Sequence, residues 1–273
     1  MKNILVIVFS VFTLYSSKAG TDSLSYFHSI GNAIKDDWYS AGDDAVFVLH
    51  AFGRAGSTYS LTVAGGVLAA TGGAFLLDGD TRSEILNQHT LQRDNISAVF
   101  REYGGTYSIV ASSAGLYTLG LLTQCDEVRT SGRLVLEAFV VSGVINGGLK
   151  VLLGRGRPYL NLGKDKFKPL NFLNDYNSLP SGHTTVAFTI STVLSDHIDR
   201  WWASAGLYTI AAATGISRIY DDKHWLSDVV LGASIGYFSG KLITSAHQAQ
   251  KSTTSTSLRL YPTMGGVGCT YQF

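Results

Sequence analysis

TYSLTVAGGVLAATGGAFLL, residues 58–77, runs for twenty positions without a charge or a proline. At about 1.5 Å of rise per residue, a helix of that length spans the roughly 30 Å hydrocarbon core of a bilayer. Its small residues let a neighbouring helix come close, as helices do inside membranes. Five further stretches share this character: residues 106–123, 133–153, 184–195, 201–217 and 225–240. Among these five, only Glu137, Lys150, Asp228 and the opening Arg133 are charged. Helices that are apolar all round lie inside a bundle or in lipid. With only four prolines in 273 residues, little interrupts them. The expected fold is all-α, a helical bundle of about six core helices embedded in a membrane. A soluble helical bundle is the alternative, and the mean hydropathy of only +0.16 speaks for it.

The chain is 45% hydrophobic and only 15% charged, where about 25% charged is usual. The net charge of +1 and the lack of any block of like charge leave no reason to expect a nucleic-acid partner. Residues 1–19 read as a signal peptide: Lys2, then an apolar run from Ile4 to Tyr15, then the small residues around Lys18. A run of about twelve residues is too short for a span. Residues 20–57 form an N-terminal segment in which Asp36, Asp37, Trp38, Asp43 and Asp44 lie among apolar side chains, as on an ordinary surface helix. Residues 58–245 make the bundle domain, and residues 246–273 a tail whose end hints at a short hairpin. Cys125 and Cys269 read as separate thiols, since nothing in the sequence brings them together.

Three polar segments interrupt the apolar pattern: KVLLGRGRP from Lys150 to Pro158, PSGH from Pro180 to His183, and SRIYDDKHWLSD from Ser217 to Asp228. Lys150 and Arg157 stand two helical turns apart, with Gly154, Gly156 and Pro158 ending the helix between them. Arg218 ends another apolar stretch. Three cations converging on one pocket suit a cluster of anionic oxygens, and arginine adds a bidentate fit to phosphate. Ser181 stands as an N-cap before the helix that follows, and Gly182 lets a ligand approach free backbone N–H groups. His224 and Asp228 are spaced i, i+4, so the carboxylate can hold one ring nitrogen and leave the other as a nucleophile. Asp221 and Asp222 read as capping or loop residues. Asp78-Gly79-Asp80 reads as a turn, and His28, His50, His89, His197 and His247 show no partner pattern.

Together the three segments resemble the signature of the type 2 phosphatidic acid phosphatase and vanadium haloperoxidase superfamily. That pattern has Lys, six residues, Arg-Pro; then Pro-Ser-Gly-His; then Ser-Arg, five residues, His, three residues, Asp, and all eleven fixed positions agree here. The resemblance implies a phosphatase of phosphate esters or diphosphates, lipid phosphates foremost, working through a phosphohistidine. His224 is then the nucleophile, Asp228 its orienting partner, and His183 the general acid and later base. Lys150, Arg157 and Arg218, with Ser181 and the Gly182 N–H, hold the phosphoryl oxygens. No metal or other cofactor is implied, since protein cations would neutralise the phosphoryl charge. The alternatives are a soluble periplasmic non-specific acid phosphatase, a vanadate-dependent haloperoxidase using the same pocket, and a protein that keeps the anion pocket without turnover.

The expected localisation is exported: in the membrane with the active site on the periplasmic (exoplasmic) face, or in the periplasm. Loop charges disagree with that orientation. Residues 154–182 hold five basic residues (Arg155, Arg157, Lys164, Lys166, Lys168) and residues 124–133 two (Arg129, Arg133), whereas cytoplasmic loops usually carry the excess.

Overall fold

In the computed structural model, residues 23–253, 257–263 and 266–272 are described, with side chains from 25 to 251. The expected signal peptide and the side chain of Cys269 lie outside the described residues; Cys125 is a free thiol. The described residues form eight α-helices and one hairpin: α1 (Ser23–Gly53), α2 (Thr58–Leu86), α3 (Leu91–Tyr103), α4 (Thr106–Thr123), α5 (Asp126–Leu153), α6 (Gly182–Ile198), α7 (Trp201–Tyr220), α8 (Leu226–Thr253), β1 (Ser257–Thr263) and β2 (Gly266–Gln272). The strands pair antiparallel, Ser257 against Gln272. The chain divides into two compact units at Ser40–Ala41, inside α1.

The six expected helices are all present, and most run further than the apolar pattern alone. α4 matches its expected bounds, while α2 continues through Asp78-Gly79-Asp80 to Leu86, so that motif is helix and not a turn. The element with no forecast is α3, whose sequence LQRDNISAVFREY is too polar to signal a buried helix. Thr90 caps it by accepting from the Arg93 N–H at 3.3 Å. Proline is absent from every described α-helix, which leaves the ladder of backbone hydrogen bonds intact.

Helix α6 is the centre of the bundle, packed on α5, α7 and α8. Its contact with α8 is close because Gly232 and Gly236 present no side chain. A Cβ at Gly232 would lie 2.5 Å from the Ser181 carbonyl oxygen, and one at Gly236 2.4 Å from that of Thr185. The apolar core joins α4, α5, α6 and α8 through Ile109, Leu134, Val135, Val186, Ile190 and Ile243, with Val48 of α1. Outer faces are also apolar: Leu61, Leu68 and Leu76 of α2 are mostly exposed. Helices α2, α5 and α8 are long and apolar enough to cross a membrane, and the fold is a membrane-embedded helical bundle.

Candidate active site

The three polar segments meet at one end of the bundle, where α5 stops and α6 and α8 start. Gly154 closes α5 in the left-handed conformation (φ +56°) that glycine adopts without a steric penalty. Lys150, in the last turn, donates from Nζ to the Asn177 carbonyl at 2.6 Å. Its Cε lies 3.9 Å from where a Cβ on Gly182 would be, so Lys150 borders the start of α6. The Ser181 N–H donates to the Asp228 carbonyl at 2.9 Å, joining the first turn of α6 to that of α8. Arg157 is anchored by its N–H to Asp175 O and its Nε to Asn174 O, both at 2.9 Å.

His224 precedes α8 and is buried. Its Nδ1 lies 2.7 Å from the Ser178 carbonyl and 3.7 Å from Asp228 Oδ2. The carbonyl therefore fixes Nδ1–H and leaves Nε2 as the lone-pair nitrogen, while Asp228 stands one step behind. Asp228 itself is fully buried and saturated. Its Oδ2 accepts from the Ser178 hydroxyl and from the Trp225 N–H at 2.9 Å, and its Oδ1 from Arg155 at 2.6 Å. Burial is the main reason the His224 pKa is pushed down to about 4; Asp228 opposes the shift, and Lys150 and Arg157 add to it. His224 is thus a neutral imidazole near pH 7.

His183, in the first turn of α6, and Arg218, in the last turn of α7, complete the three segments. Burial, followed by Arg218, Arg101 and Arg157, pushes His183 down to about 4. Arg218 is buried and donates from NH2 to Asp221 at 2.8 Å. Its Nε and NH1 are buried without a hydrogen-bond partner among the described residues. Buried donors are seldom left so, and a guanidinium edge held open in this way is a ready donor site for oxyanions. Ser181 occupies the N-cap position of α6 but its side chain makes no capping bond; the hydroxyl is fully buried and accepts from Thr184 at 2.9 Å.

Several participants carried no clear signal in the sequence. Arg155 lies inside KVLLGRGRP yet is completely buried, donating to Asp78, Asp228, Ser227 and the Lys164 carbonyl. Asp78 reaches it from α2 and also accepts from the Ser227 N–H at 2.8 Å. Helix α3 supplies Arg101, 3.3 Å from Asp221, and Ser97, 2.9 Å from it. Gly104, closing α3, has the His183 carbonyl 2.5 Å from its Cβ position, so no other residue fits without a shift. Asp221 is the C-cap of α7 and Asp222 lies in the turn after it, as expected, and both also accept ion pairs: Asp221 serves Arg218 and Arg101, Asp222 serves Arg82 at 2.6 Å. Of the histidines without a pattern, His89 stacks on Tyr220 and His247 meets Arg133. Among the described residues no group of three His, Cys, Asp or Glu side chains is placed to hold a metal ion.

His224 is neutral and oriented, and buried Arg218 keeps two donors open, the components that a histidine-dependent phosphoryl transfer would need. The model of the PAP2 superfamily matches residues 132–252 of the chain. The chain is 46% identical over 71 residues to a lipid A 1-phosphatase of Porphyromonas gingivalis, covering 24% of this chain and 15% of the relative. The matched stretch is thus a small part of that longer protein. Among solved structures it is similar to Aquifex aeolicus LpxE, with 27% identity, a TM-score of 0.50, and coverage of 62% of this chain and 95% of that one. It is also similar to a transmembrane PAP2-type phosphatidylglycerolphosphate phosphatase from Bacillus subtilis, with 18% identity, a TM-score of 0.49, and coverage of 77% and 97%.

Proposed function

We propose that the chain is a phosphatase that removes phosphate from lipid phosphates or diphosphates by way of a phosphohistidine on His224. The observation that carries this reading is the open Nε and NH1 edge of buried Arg218, together with the imidazole of His224, whose Nδ1 is already engaged and whose backbone N–H bonds the Arg218 carbonyl. In the first step His224 Nε2 attacks phosphorus and the bond to the leaving oxygen breaks. His183 gives that oxygen its proton. In the second step water attacks phosphorus, His183 takes the water proton, and His224 departs as the leaving group. Lys150, Arg157 and Arg218, with the Gly182 N–H, hold the three equatorial oxygens and stabilise their charge. Asp228 orients His224 through Ser178 and Trp225. The buried hydroxyl of Ser181 supports the turn that presents Gly182.

The lipid nature of the substrate is supported by the apolar outer faces of α2, α5 and α8 and by the family. A chain anchored in lipid meets a phosphorylated lipid at the depth of its own helix ends. We place residues 1–19 as an export signal, residues 58–245 as the phosphatase domain, and the site on the periplasmic face. Modification of an Asp165→Cys variant by a membrane-impermeant thiol reagent in intact cells tests that face; labelling only after lysis reverses it.

The chemistry is tested by rapid mixing with a phosphomonoester bearing a good leaving group, quenched in alkali and detergent, because phosphohistidine survives base and not acid. The expected result is a labelled phosphoenzyme in the unchanged chain and none in His224→Ala. His183→Ala is expected to accumulate it, since breakdown then lacks its base. A His224→Ala chain with full turnover would overturn the assignment.

A further inference from the structure

The connection from α5 to α6 is an ordered loop that shows apolar side chains outward. It folds back along the end of α5: Lys168 N–H donates to Gly154 O and Leu170 N–H to Val151 O, both at 2.7 Å, while Gly156 N–H donates to Lys166 O at 2.8 Å. Helix α5 is one of the three that can cross a bilayer. Leu170 is therefore fixed beside the final turn of a span, at the level of Leu152, itself 57% exposed. Leu170, Phe172 and Leu173 are 67%, 80% and 64% exposed. Leu170 also takes a left-handed backbone (φ +59°), a conformation a leucine rarely adopts. Such outliers persist where the surroundings enforce them and cluster where they serve a function. Lys166 and Lys168 are interleaved with this apolar tip and are exposed; the Lys168 ammonium sits 4.3 Å above the Tyr176 ring.

We propose that residues 166–173 form an interfacial finger that rests in the boundary of an anionic bilayer. Leu170, Phe172 and Leu173 enter the outer acyl region, and Lys166 and Lys168 stand at the depth of the lipid phosphates. Three arguments select a lipid surface over a protein partner. The segment is bonded to the last turn of a span, so its height is that of the headgroups. Apolar tips flanked by lysines are the pattern of segments that lie in the interface. Lysines near an anionic leaflet are attracted to it, which gives the finger its charge preference. The same loop carries Asn174 and Asn177, whose carbonyls hold the side chains of Arg157 and Lys150. A seated finger thus holds the mouth of the site at the level where a lipid phosphate lies. The insertion itself is independent of the proposed activity; only its kinetic consequence rests on the lipid-phosphatase reading.

The experiment uses the full chain in nanodiscs, with Cys125→Ser and Cys269→Ser as background. An environment-sensitive fluorophore is placed at Phe172→Cys and, as the control on the same loop, at Asp165→Cys. The label at 172 is expected to emit to the blue of the label at 165 and to be quenched by a shallow acyl-chain nitroxide. Adding phosphatidylglycerol to phosphatidylcholine discs strengthens both effects, and Lys166→Gln with Lys168→Gln removes that dependence. Identical emission at 172 and 165 in discs overturns the proposal, as does a blue shift in lipid-free detergent that depends on protein concentration, which marks a second copy as the occupant. In the kinetic arm, Leu170→Ser with Phe172→Ser and Leu173→Ser is expected to lower turnover of a bilayer-borne lipid phosphate about tenfold while hydrolysis of a water-soluble phosphomonoester changes less than about twofold. Equal loss on both substrates counts against the finger. A chain that hydrolyses neither substrate defeats the phosphatase reading and leaves the fluorescence result standing on its own.

Discussion

Two arginines are buried at opposite ends of α5, each between two carboxylates, and they serve different ends. Arg155 binds Asp78 of α2 at 2.7 Å and Asp228 of α8 at 2.6 Å, and all three side chains are fully buried. Arg133 binds Asp44 of α1 at 2.8 Å and Glu137 of its own helix at 2.7 Å, with His247 of α8 at 3.2 Å and some solvent reaching Glu137. Seventeen residues of helix, about 25 Å, separate Arg133 from Lys150. The Arg155 network ends on the histidine expected to react: Arg155 sets Asp228, and Asp228 with Ser178 sets His224. The Arg133 network ties α1 to α5 and α8 through Asp44, Glu137 and His247. Buried ion pairs contribute little net stability compared with apolar packing. One of these networks is therefore better explained by orientation, the other by the joining of helices.

The comparison breaks first at Asp228. Asp228→Asn keeps the shape of the side chain but disturbs both the Arg155 pair and the setting of His224, and is expected to reduce turnover about 10⁴-fold. Alkaline trapping would then show phosphoenzyme formation slowed. Next comes Arg155→Met, which leaves Asp78 and Asp228 facing each other without a cation. It should cost about 3–5 kcal/mol of stability and lower turnover roughly 10²–10³-fold. Adding Asp78→Leu removes the stranded charge and should restore the melting temperature without restoring turnover. If turnover also returns, Arg155 is a packing residue only. Arg133→Met is smaller in its effect on chemistry: about the same 3–5 kcal/mol of stability, with turnover per folded molecule within about twofold. A large loss of turnover there, measured on protein shown to be folded, would erase the distinction between the two ends.

The difference between the ends was only partly visible in the sequence. Lys150, Arg157, His183, Arg218, His224 and Asp228 stand out in the sequence because their spacing is local and resembles a family pattern. Helix α4 was legible because its apolar run begins and ends where the helix does, and α7 because its run begins where the helix does and stops three residues short of its end. Arg155 was not, although it stands between two residues of the pattern. Its role depends on Asp78, 77 positions earlier in the chain, and a charge pair across two helices leaves no periodicity. Asp78-Gly79-Asp80 reads as a turn because three turn-forming residues stand together, yet tertiary contacts with Arg155 and Ser227 keep the helix running through them. Helix α3 was missed for a related reason. It is short and polar on average, and the contacts that hold it, Ser97 and Arg101 meeting Asp221, are polar ones that no apolar run announces. Spacing also placed Asp228 against His224, but could not foresee that the Ser178 carbonyl would take the nearer position.

The finest expected effect concerns protons. His183 lies in a pocket whose burial and three arginines push its pKa down to about 4, so at pH 6 the free protein holds it neutral. A general acid must carry a proton, and the empty pocket disfavours that. A phosphoryl dianion reverses the sign of the local field, because it screens Arg218, Arg101 and Arg157 and favours imidazolium beside it. The bound state then holds more protons than the free state, and binding at pH 6 should take up as much as about one proton. The uptake should shrink as the pH falls toward 4, where free His183 is already charged. Calorimetric titration with vanadate, repeated in buffers of different ionisation enthalpy, reads this directly, and His183→Gln should abolish the buffer dependence while leaving most of the affinity. Unchanged buffer dependence in that variant would move the proton to His224 and with it exchange the roles assigned to the two histidines.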